Sequence, residues 1–163
     1  MRGGKQYAWE GFAEAAQYCA QHKVDLEQGL KWADQSIAVE EREENLMLKA
    51  QLLKQLNRTT EANAARDKAL GIANVTQIYF YARQLQAQGD QPEAMDIFRT
   101  TVKRFPDHWL GHMAAARLAS ASGDYTTALK EVKTVQGMDI PDAQKANLVN
   151  LTKRLENHED INK

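Results

Sequence analysis

Residues 78–106 of this chain read IYFYARQLQAQGDQPEAMDIFRTTVKRFP. Apolar residues recur in this stretch at three- and four-residue intervals on both sides of Gly89-Asp90, which is the spacing of two amphipathic helices joined by a tight turn. In the same register, small residues recur along the chain at intervals of 33, 32 and 34 residues: Gly29, Ala62, Ala94 and Ala128. A repeat of this length predicts an all-α architecture built from helix pairs.

The pattern is specific enough to be compared with a known type of helical repeat. It is formed by eight positions in the quoted stretch: Ile78, Tyr81, Ala82, Leu85, Gly89, Ala94, Phe98 and Pro106. These spacings resemble the tetratricopeptide repeat (TPR). The resemblance implies a right-handed α-solenoid of about four TPR helix-turn-helix repeats, followed by a C-terminal capping helix.

The same register divides the whole chain. We expect a TPR domain over residues 9–157, with repeats at about 10–41, 43–74, 75–108 and 109–142 and a capping helix at 142–157. The capping helix carries a narrow apolar stripe of Leu148, Leu151 and Leu155, as a terminal repeat requires. Residues 1–8 are interpreted as a flexible N-terminal tip or as residues added for expression, and residues 158–163 as a polar tail.

Turn residues support this register. Gly89 and Gly123 lie where the first helix of a repeat ends. Two segments, Asp25-x-x-Gln28 and Asp90-x-x-Glu93, match the capping box that starts a helix. Two positions depart from the TPR pattern: Gly29 stands where Ala is preferred, and Arg66 where a bulky apolar residue is preferred.

A narrower resemblance is carried by residues 25–33 (DLEQGLKWA), 48–53 (LKAQLL) and 159–162 (EDIN). They resemble the C-terminal TPR region of a family of uncharacterised, exported bacterial proteins in which a β-rich domain precedes the repeats. This chain shows no such domain, so we interpret it as a fragment or a stand-alone relative. The resemblance implies a bacterial source and the periplasm or cell envelope, and it carries no activity. Residues 1–5 (MRGGK) have charge without an apolar core behind them, which is not a signal peptide.

Composition is that of an ordinary soluble globular protein, and the usual catalytic motifs are missing. The 163 residues are 43% hydrophobic and 26% charged, with a formal net charge of −1 and no clustered basic face, so nucleic acid is not expected as a partner. No apolar run approaches the roughly 18 residues of a membrane span. The phosphate-loop, metalloprotease, serine-nucleophile and paired-cysteine motifs are absent, so we predict no enzyme activity and no cofactor.

The histidines, tryptophans and single cysteine have structural interpretations. His108 and His112 lie one helical turn apart, a spacing that can bind metal, but no third ligand is near in sequence and we assign no metal. Cys19 lies in an Ala-rich helix and is expected to be a small buried residue. The three tryptophans, Trp9, Trp32 and Trp109, lie on amphipathic helices and are expected to pack in the core or between repeats rather than to form a stacking platform for a sugar or base.

The TPR resemblance places the first helix of each repeat along a concave groove. Two positions four residues apart on that helix share the groove face. The resulting candidate partner-binding residues are Tyr18, Met47, Gln51, Tyr79, Arg83, Met113 and Arg117. Met and Tyr suit adaptable apolar contacts, and Arg suits a partner carboxylate. The alternative is that these side chains pack on neighbouring helices or face water.

These observations predict a protein–protein interaction scaffold that binds an extended peptide or a partner helix in the groove. One alternative is a structural or self-assembly module, or a docking surface for a missing N-terminal domain. A second alternative is an accessory module that binds a small molecule or carbohydrate among the Trp and Tyr residues.

Overall fold

In the computed structural model, which describes residues 8–163, every regular element is an α-helix. The nine helices of that range are α1 (Trp9–His22), α2 (Leu26–Val39), α3 (Glu43–Gln55), α4 (Thr59–Ile72), α5 (Val75–Ala87), α6 (Gln91–Arg104), α7 (Trp109–Ala121), α8 (Tyr125–Gln136) and α9 (Asp142–Glu156). The all-α prediction is confirmed. Of the predicted N-terminal tip, residues 1–7 lie outside the described residues.

The helices form two compact units, Met1–Ala73 and Asn74–Lys163. In the first unit, which is described from residue 8, each of α1 to α4 packs on the next helix along the chain, and α1 also contacts α3. In the second unit, each of α5 to α9 packs on the next, and α5 also contacts α7. Consecutive packing with contact between alternate helices is what repeated helix pairs require. Their winding into a right-handed solenoid stays a prediction.

The core of the first unit explains one departure from the repeat pattern. A buried cluster of small and aliphatic residues joins α1, α2 and α3: Ala16, Cys19, Ala20, Ala33 and Leu52. Cys19 is 3% exposed, which confirms its predicted burial, and Trp32 packs against this cluster. A Cβ on Gly29 would lie only 2.7 Å from Cys19 Cβ. Glycine rather than alanine therefore lets α2 approach α1 this closely.

The core of the second unit is a stripe of fully buried side chains. Its largest members are Ile78, Ile97, Phe98, Leu110, Val132, Val135 and Leu155. The predicted apolar stripe of α9 is confirmed, because Leu148, Leu151 and Leu155 are all buried. The polar residues between them leave an exposed outer face on this last helix.

The turns agree with the predicted register except at one position. Gly89 and Gly123 take φ values of 85° and 80°, which glycine adopts without strain, and they follow α5 and α7 as predicted. Asp90 caps α6 by accepting a hydrogen bond from the backbone N–H of Glu93. The predicted capping box at Asp25 is wrong: Asp25 has a φ of 44° and makes no side-chain cap bond. A capping side chain needs an extended backbone at its own residue, whereas the backbone of Asp25 is left-handed.

The remaining surface is that of short, water-exposed helices of 12 to 15 residues. Among the described residues, none of the helices has both the length and the apolar content needed to cross a bilayer.

Arg66, the second departure from the repeat pattern, is on α4, and its guanidinium lies 3.0 Å from the carboxylate of Asp67. A charged side chain is accommodated there because it reaches the surface.

Candidate functional site

The seven predicted groove residues are divided between the two units. Tyr18 is 60% exposed on α1 and its ring lies 4.3 Å from that of His22. On α3, Met47 is half-buried and Gln51 is exposed. Partner contact by these three residues stays a prediction. The other four, Tyr79, Arg83, Met113 and Arg117, lie on α5 and α7 of the second unit, where the polar chemistry is concentrated.

Arg117 makes the central hydrogen bonds of this polar surface. Only 4% of the residue is exposed, and its Nε donates a 2.9 Å hydrogen bond to the Tyr79 hydroxyl. Its Nη1 donates a second bond of 2.9 Å to the backbone oxygen of Ile161. Tyr79 and Met113 are also buried, at 6% and 3% exposure. Three of the four predicted residues on this surface are therefore covered rather than open to water.

The covering element is a turn that follows α9, Glu159–Lys163, named here the 159–163 turn. Ile161 is 3% exposed, and its backbone N–H donates to Ser120 Oγ at 3.0 Å. Ser120 Oγ donates in turn to Asp160 Oδ1 at 2.9 Å. Asn162 Nδ2 donates to the backbone oxygen of Arg117 at 2.9 Å. The residues predicted as a polar tail thus include a buried aliphatic side chain bound to α7.

Sequence reasoning missed Ser120, Gln86 and the role of this turn. Gln86, on α5, is 8% exposed and its Nε2 donates to Asn162 Oδ1 at 2.8 Å. Two sequence signals could have indicated the turn. Ile161 is the only large aliphatic residue in an otherwise polar ending, and Ser120 lies one helical turn after Arg117 on α7.

A cavity of about 370 Å³ lies beside the turn, lined by α5, α7, α9 and the turn itself. Its polar lining is basic or neutral: Arg83, Gln86, Arg117, Asn147, Asn150, Arg154, Asn162 and Lys163. Within residues 8–163, no acidic side chain contributes to this lining. A cavity of this size with convergent polar groups fits a small ligand or a few side chains of a partner.

Arg83, one of the predicted groove residues, lines the cavity and is half-exposed. Its Nη1 donates to Gln86 Oε1 at 2.6 Å, and neither Arg83 nor Arg117 forms an ion pair within residues 8–163. Burial lowers the pKa of Arg83, and the nearby Arg117 guanidinium lowers it further. Two guanidinium groups without a carboxylate partner form a local positive field in a nearly neutral chain.

Both acidic side chains of the turn are already engaged: Glu159 lies 3.6 Å from Arg154 Nε, and Asp160 accepts a hydrogen bond from Ser120. Burial would raise the pKa of Asp160, but hydrogen bonds from the backbone and side chain of Asn162, from Ser120, and the charge of Lys163 outweigh burial and lower it. Its carboxylate oxygen Oδ1 accepts from Ser120 Oγ and from both nitrogens of Asn162. Asp160 therefore holds the turn together, and it forms no ion pair with Arg83 or Arg117.

The histidine pair has structural contacts. His108 caps α7 by accepting from the N–H of Leu110 at 3.1 Å, and His112 Nδ1 lies 2.7 Å from Glu131 Oε2 on α8. The two histidines thus point to different partners. Among the described residues, no group of three or more His, Cys, Asp or Glu side chains is placed to hold a metal ion.

A second depression, of about 500 Å³, lies on the outer face of α8 and is lined by residues of that helix alone, among them Lys130 and Lys133. It brings no groups together from different elements.

Comparison with models of known protein families and with curated proteins finds no match for this chain. The cavity beside the 159–163 turn is therefore interpreted from its own chemistry.

Proposed function

We propose that this chain is a TPR-type interaction scaffold, and that its second unit binds an extended peptide or a helix of a partner protein. The partner contributes a carboxylate that lies against Arg83 and Arg117 in the cavity. The chain acts by binding and not by catalysis. The contact of α5 with α7, which places the first helices of two successive pairs side by side, supports this assignment.

The observation that carries the proposal is the pair of unmatched guanidinium groups. Arg83 and Arg117 line the cavity, and neither has an ion-pair partner within residues 8–163. Guanidinium groups in partly dehydrated positions are favoured when a carboxylate accepts hydrogen bonds from them. A partner carboxylate would supply the charge that the cavity lacks.

The surface also holds a short non-helical segment already. The 159–163 turn is bound to α5 and α7 by side chains of both helices. Hydrogen-bonding groups aimed at a peptide backbone, together with a site for one buried aliphatic side chain, are the features by which grooves hold peptides.

The test is affinity capture from a lysate of the source organism with three versions of the chain. Arg83→Glu reverses the charge of the half-buried cavity residue, whereas Arg99→Glu reverses an exposed arginine on α6 of the same unit. We expect a partner that is retained by the parent and by Arg99→Glu and is lost from Arg83→Glu. Crosslinks from that partner should map to α5 and α7, and its affinity should fall by at least about tenfold, or ~1.4 kcal/mol.

Identical capture by all three versions would contradict the proposal. Capture of the chain itself, with a concentration-dependent mass in light scattering, would instead favour the self-assembly alternative. Arg117 is unsuitable for the charge reversal, because it is buried and holds Tyr79 and the 159–163 turn.

A further inference from the structure

The 159–163 turn is bound through three successive side chains, each with its own contact. Asp160 accepts from Ser120, Ile161 is buried, and Asn162 both donates to Arg117 O and accepts from Gln86. Backbone groups of the turn are used as well, at Ile161 N–H and Ile161 C=O. A surface that makes these contacts discriminates an Asp–aliphatic–Asn sequence from most others, because each replacement leaves a buried polar group unpaired or a cavity unfilled.

The conformation of this tripeptide is local. Asp160 Oδ1 accepts from the backbone N–H of Asn162 at 3.0 Å and from its Nδ2 at 2.7 Å. An Asp side chain that bonds the backbone two residues later forms an Asx turn, which needs no contribution from the rest of the protein. The same sequence in another chain can therefore adopt this shape at a small cost in conformational entropy.

The residue after the tripeptide brings no side-chain carboxylate to the cavity. Lys163 is exposed at the lining of the cavity, and its charge acts on Asp160. Arg154 is paired with Glu159 at 3.6 Å, whereas Arg83 and Arg117 form no ion pair within residues 8–163. An acidic residue at position 163 would place a carboxylate in the cavity that Arg83 also lines, and ion pairing there is strengthened by partial burial.

From these contacts we infer that the 159–163 turn is an internal, suboptimal occupant of the binding surface, and that the partner presents an Asp–large aliphatic–Asn turn followed by an acidic residue. The inference rests on the proposed function and specifies its ligand. The chain's own turn closes the surface over Tyr79, Arg117 and Ser120. The partner replaces it because the partner's acidic residue pairs with Arg83.

The internal turn has an advantage over a partner peptide, because it is covalently connected to α9. The 159–163 turn follows α9 after only two residues, so its effective concentration at the surface is on the order of millimolar or higher. A partner peptide must therefore bind more tightly than the internal turn does, and the charge at position 163 is the clearest difference open to it. Loosening the internal turn should raise the apparent affinity of any such peptide.

The test uses the full chain and two fluorescent peptides of residues 157–163, one with the natural sequence and one carrying Lys163→Glu. Both peptides are amidated at the carboxyl end, so that the added charge is that of Glu alone. The proteins are the parent, an Ile161→Ser variant that loosens the internal turn, and the same variant with Arg83→Gln. A peptide with the seven residues in scrambled order is the control for non-specific binding.

We expect the Lys163→Glu peptide to bind the Ile161→Ser chain about tenfold more tightly than the natural peptide does. Both peptides should bind the parent chain at least tenfold more weakly than they bind Ile161→Ser, because the internal turn competes. Arg83→Gln should remove most of the preference for Glu. Circular dichroism verifies that each variant is folded, and Asn162→Ala replaces Ile161→Ser if the latter is not.

Equal affinity of the two peptides, or equal binding to parent and loosened chains, would overturn the inference. So would binding of neither peptide to a folded loosened variant. These failures are distinct from failure of the proposed function, because a partner captured in an Arg83-dependent manner would remain and would carry a different sequence.

Discussion

Gly111, on α7, lies where the chain leaving α6 passes closest to the next helix. A Cβ at this position would lie 1.9 Å from the backbone oxygen of Phe105, a distance that neither helix can accommodate without moving. Gly111→Ala is therefore expected to lower the free energy of unfolding by about 3 kcal/mol, as overpacking at a backbone contact does. Urea denaturation followed by circular dichroism measures the loss.

Gly71, on α4, is the matched control for this substitution. A Cβ there would meet nothing within 4 Å, and the residue is helical. Gly71→Ala should raise the free energy of unfolding by about 0.5 kcal/mol, because alanine loses less backbone entropy in a helix. Losses of similar size in both variants would show that the close contact at Gly111 is not the cause.

Arg117 shows what sequence can and cannot predict about one residue. The helical period correctly places it on α7, one turn before Ser120. The period describes neighbours within a helix, whereas the burial of Arg117 arises from Ile161, 44 residues later. A contact between residues so far apart leaves no local pattern, so the sequence predicted a groove arginine and the structure places it beneath a turn.

At the scale of elements, a buried polar network joins the first three helices through Asn45. Its Nδ2 donates to Ser36 Oγ at 3.1 Å and to Glu40 O at 2.7 Å, and its Oδ1 accepts from the N–H of Arg42 at 3.0 Å. Ser36 Oγ donates in turn to Trp9 O at 2.8 Å. Asn45 is fully buried, so its amide has no water to replace these partners.

Asn45→Ala should lower the free energy of unfolding by about 2 to 3 kcal/mol, because it leaves buried donors and acceptors unpaired. Asn63→Ala, at an exposed position on α4, is the control and should change stability by less than about 0.5 kcal/mol. Thermal unfolding of both variants, followed at 222 nm, is the measurement. A loss at Asn45 no larger than that at Asn63 would contradict the role of the network.

The attachment of the 159–163 turn is expected to depend on pH through Asp160. Its folded-state pKa lies below the ordinary value of 3.8, because hydrogen bonds to the carboxylate outweigh burial. A lowered folded pKa means that the stabilisation is complete above 3.8 and is lost as the pH falls through the folded pKa. We expect Asp160 to titrate below 3.8 when its side-chain carboxyl carbon is followed by NMR.

Asp160→Asn provides the comparison for that titration. The difference in unfolding free energy between the parent and this variant should be constant above about pH 5 and should shrink as the pH falls below the ordinary Asp pKa. Urea denaturation at a series of pH values between 2.5 and 6 measures it. A difference that does not change over this range would show that the charge of Asp160 does not hold the turn.

The helices themselves were predictable at this scale, because apolar spacing, glycine and capping residues are local signals. Gly89 and Asp90 end one helix and begin the next as their chemistry predicts. Asp25 has the same capping chemistry, yet it lies in a turn in which Lys23 and Asp25 both take positive φ without a glycine. A capping sequence therefore predicts a helix start, while the backbone of the preceding turn decides whether the side chain can cap it.

At the scale of the molecule, the repeat interval of 32 to 34 residues predicted the all-α class, but not the division into two compact units after Ala73. The interval reports that each helix pair resembles the next. It contains no information about how strongly successive pairs bind, which depends on the fit of side chains on both sides. Of the residues that line the cavity, Arg83 and Arg117 were among the predicted groove residues, and Asn147, Asn150 and Arg154 were not.

The distribution of charge leads to the last prediction. The net charge of the chain is −1, so we expect attraction of an acidic peptide to come from the local field of Arg83 and Arg117, which form no ion pair within residues 8–163. Such a field is screened over about 8 Å at 0.15 M salt. The affinity of the Lys163→Glu peptide for the Ile161→Ser chain should fall about tenfold between ~0.05 and ~0.5 M NaCl, consistent with ion pairs at a partly exposed site. Fluorescence anisotropy measures the dependence.

Arg83→Gln tests whether the cavity is the source of that dependence. Removing one cation from the cavity should flatten the plot of log affinity against log salt, while Arg99→Gln, at an exposed site on α6, should leave the slope unchanged. If the two variants have the same slope as the parent, the attraction arises from charges elsewhere on the surface. The helix pairs would then supply only a frame for binding, and the specificity attributed to Arg83 would belong to another part of the chain.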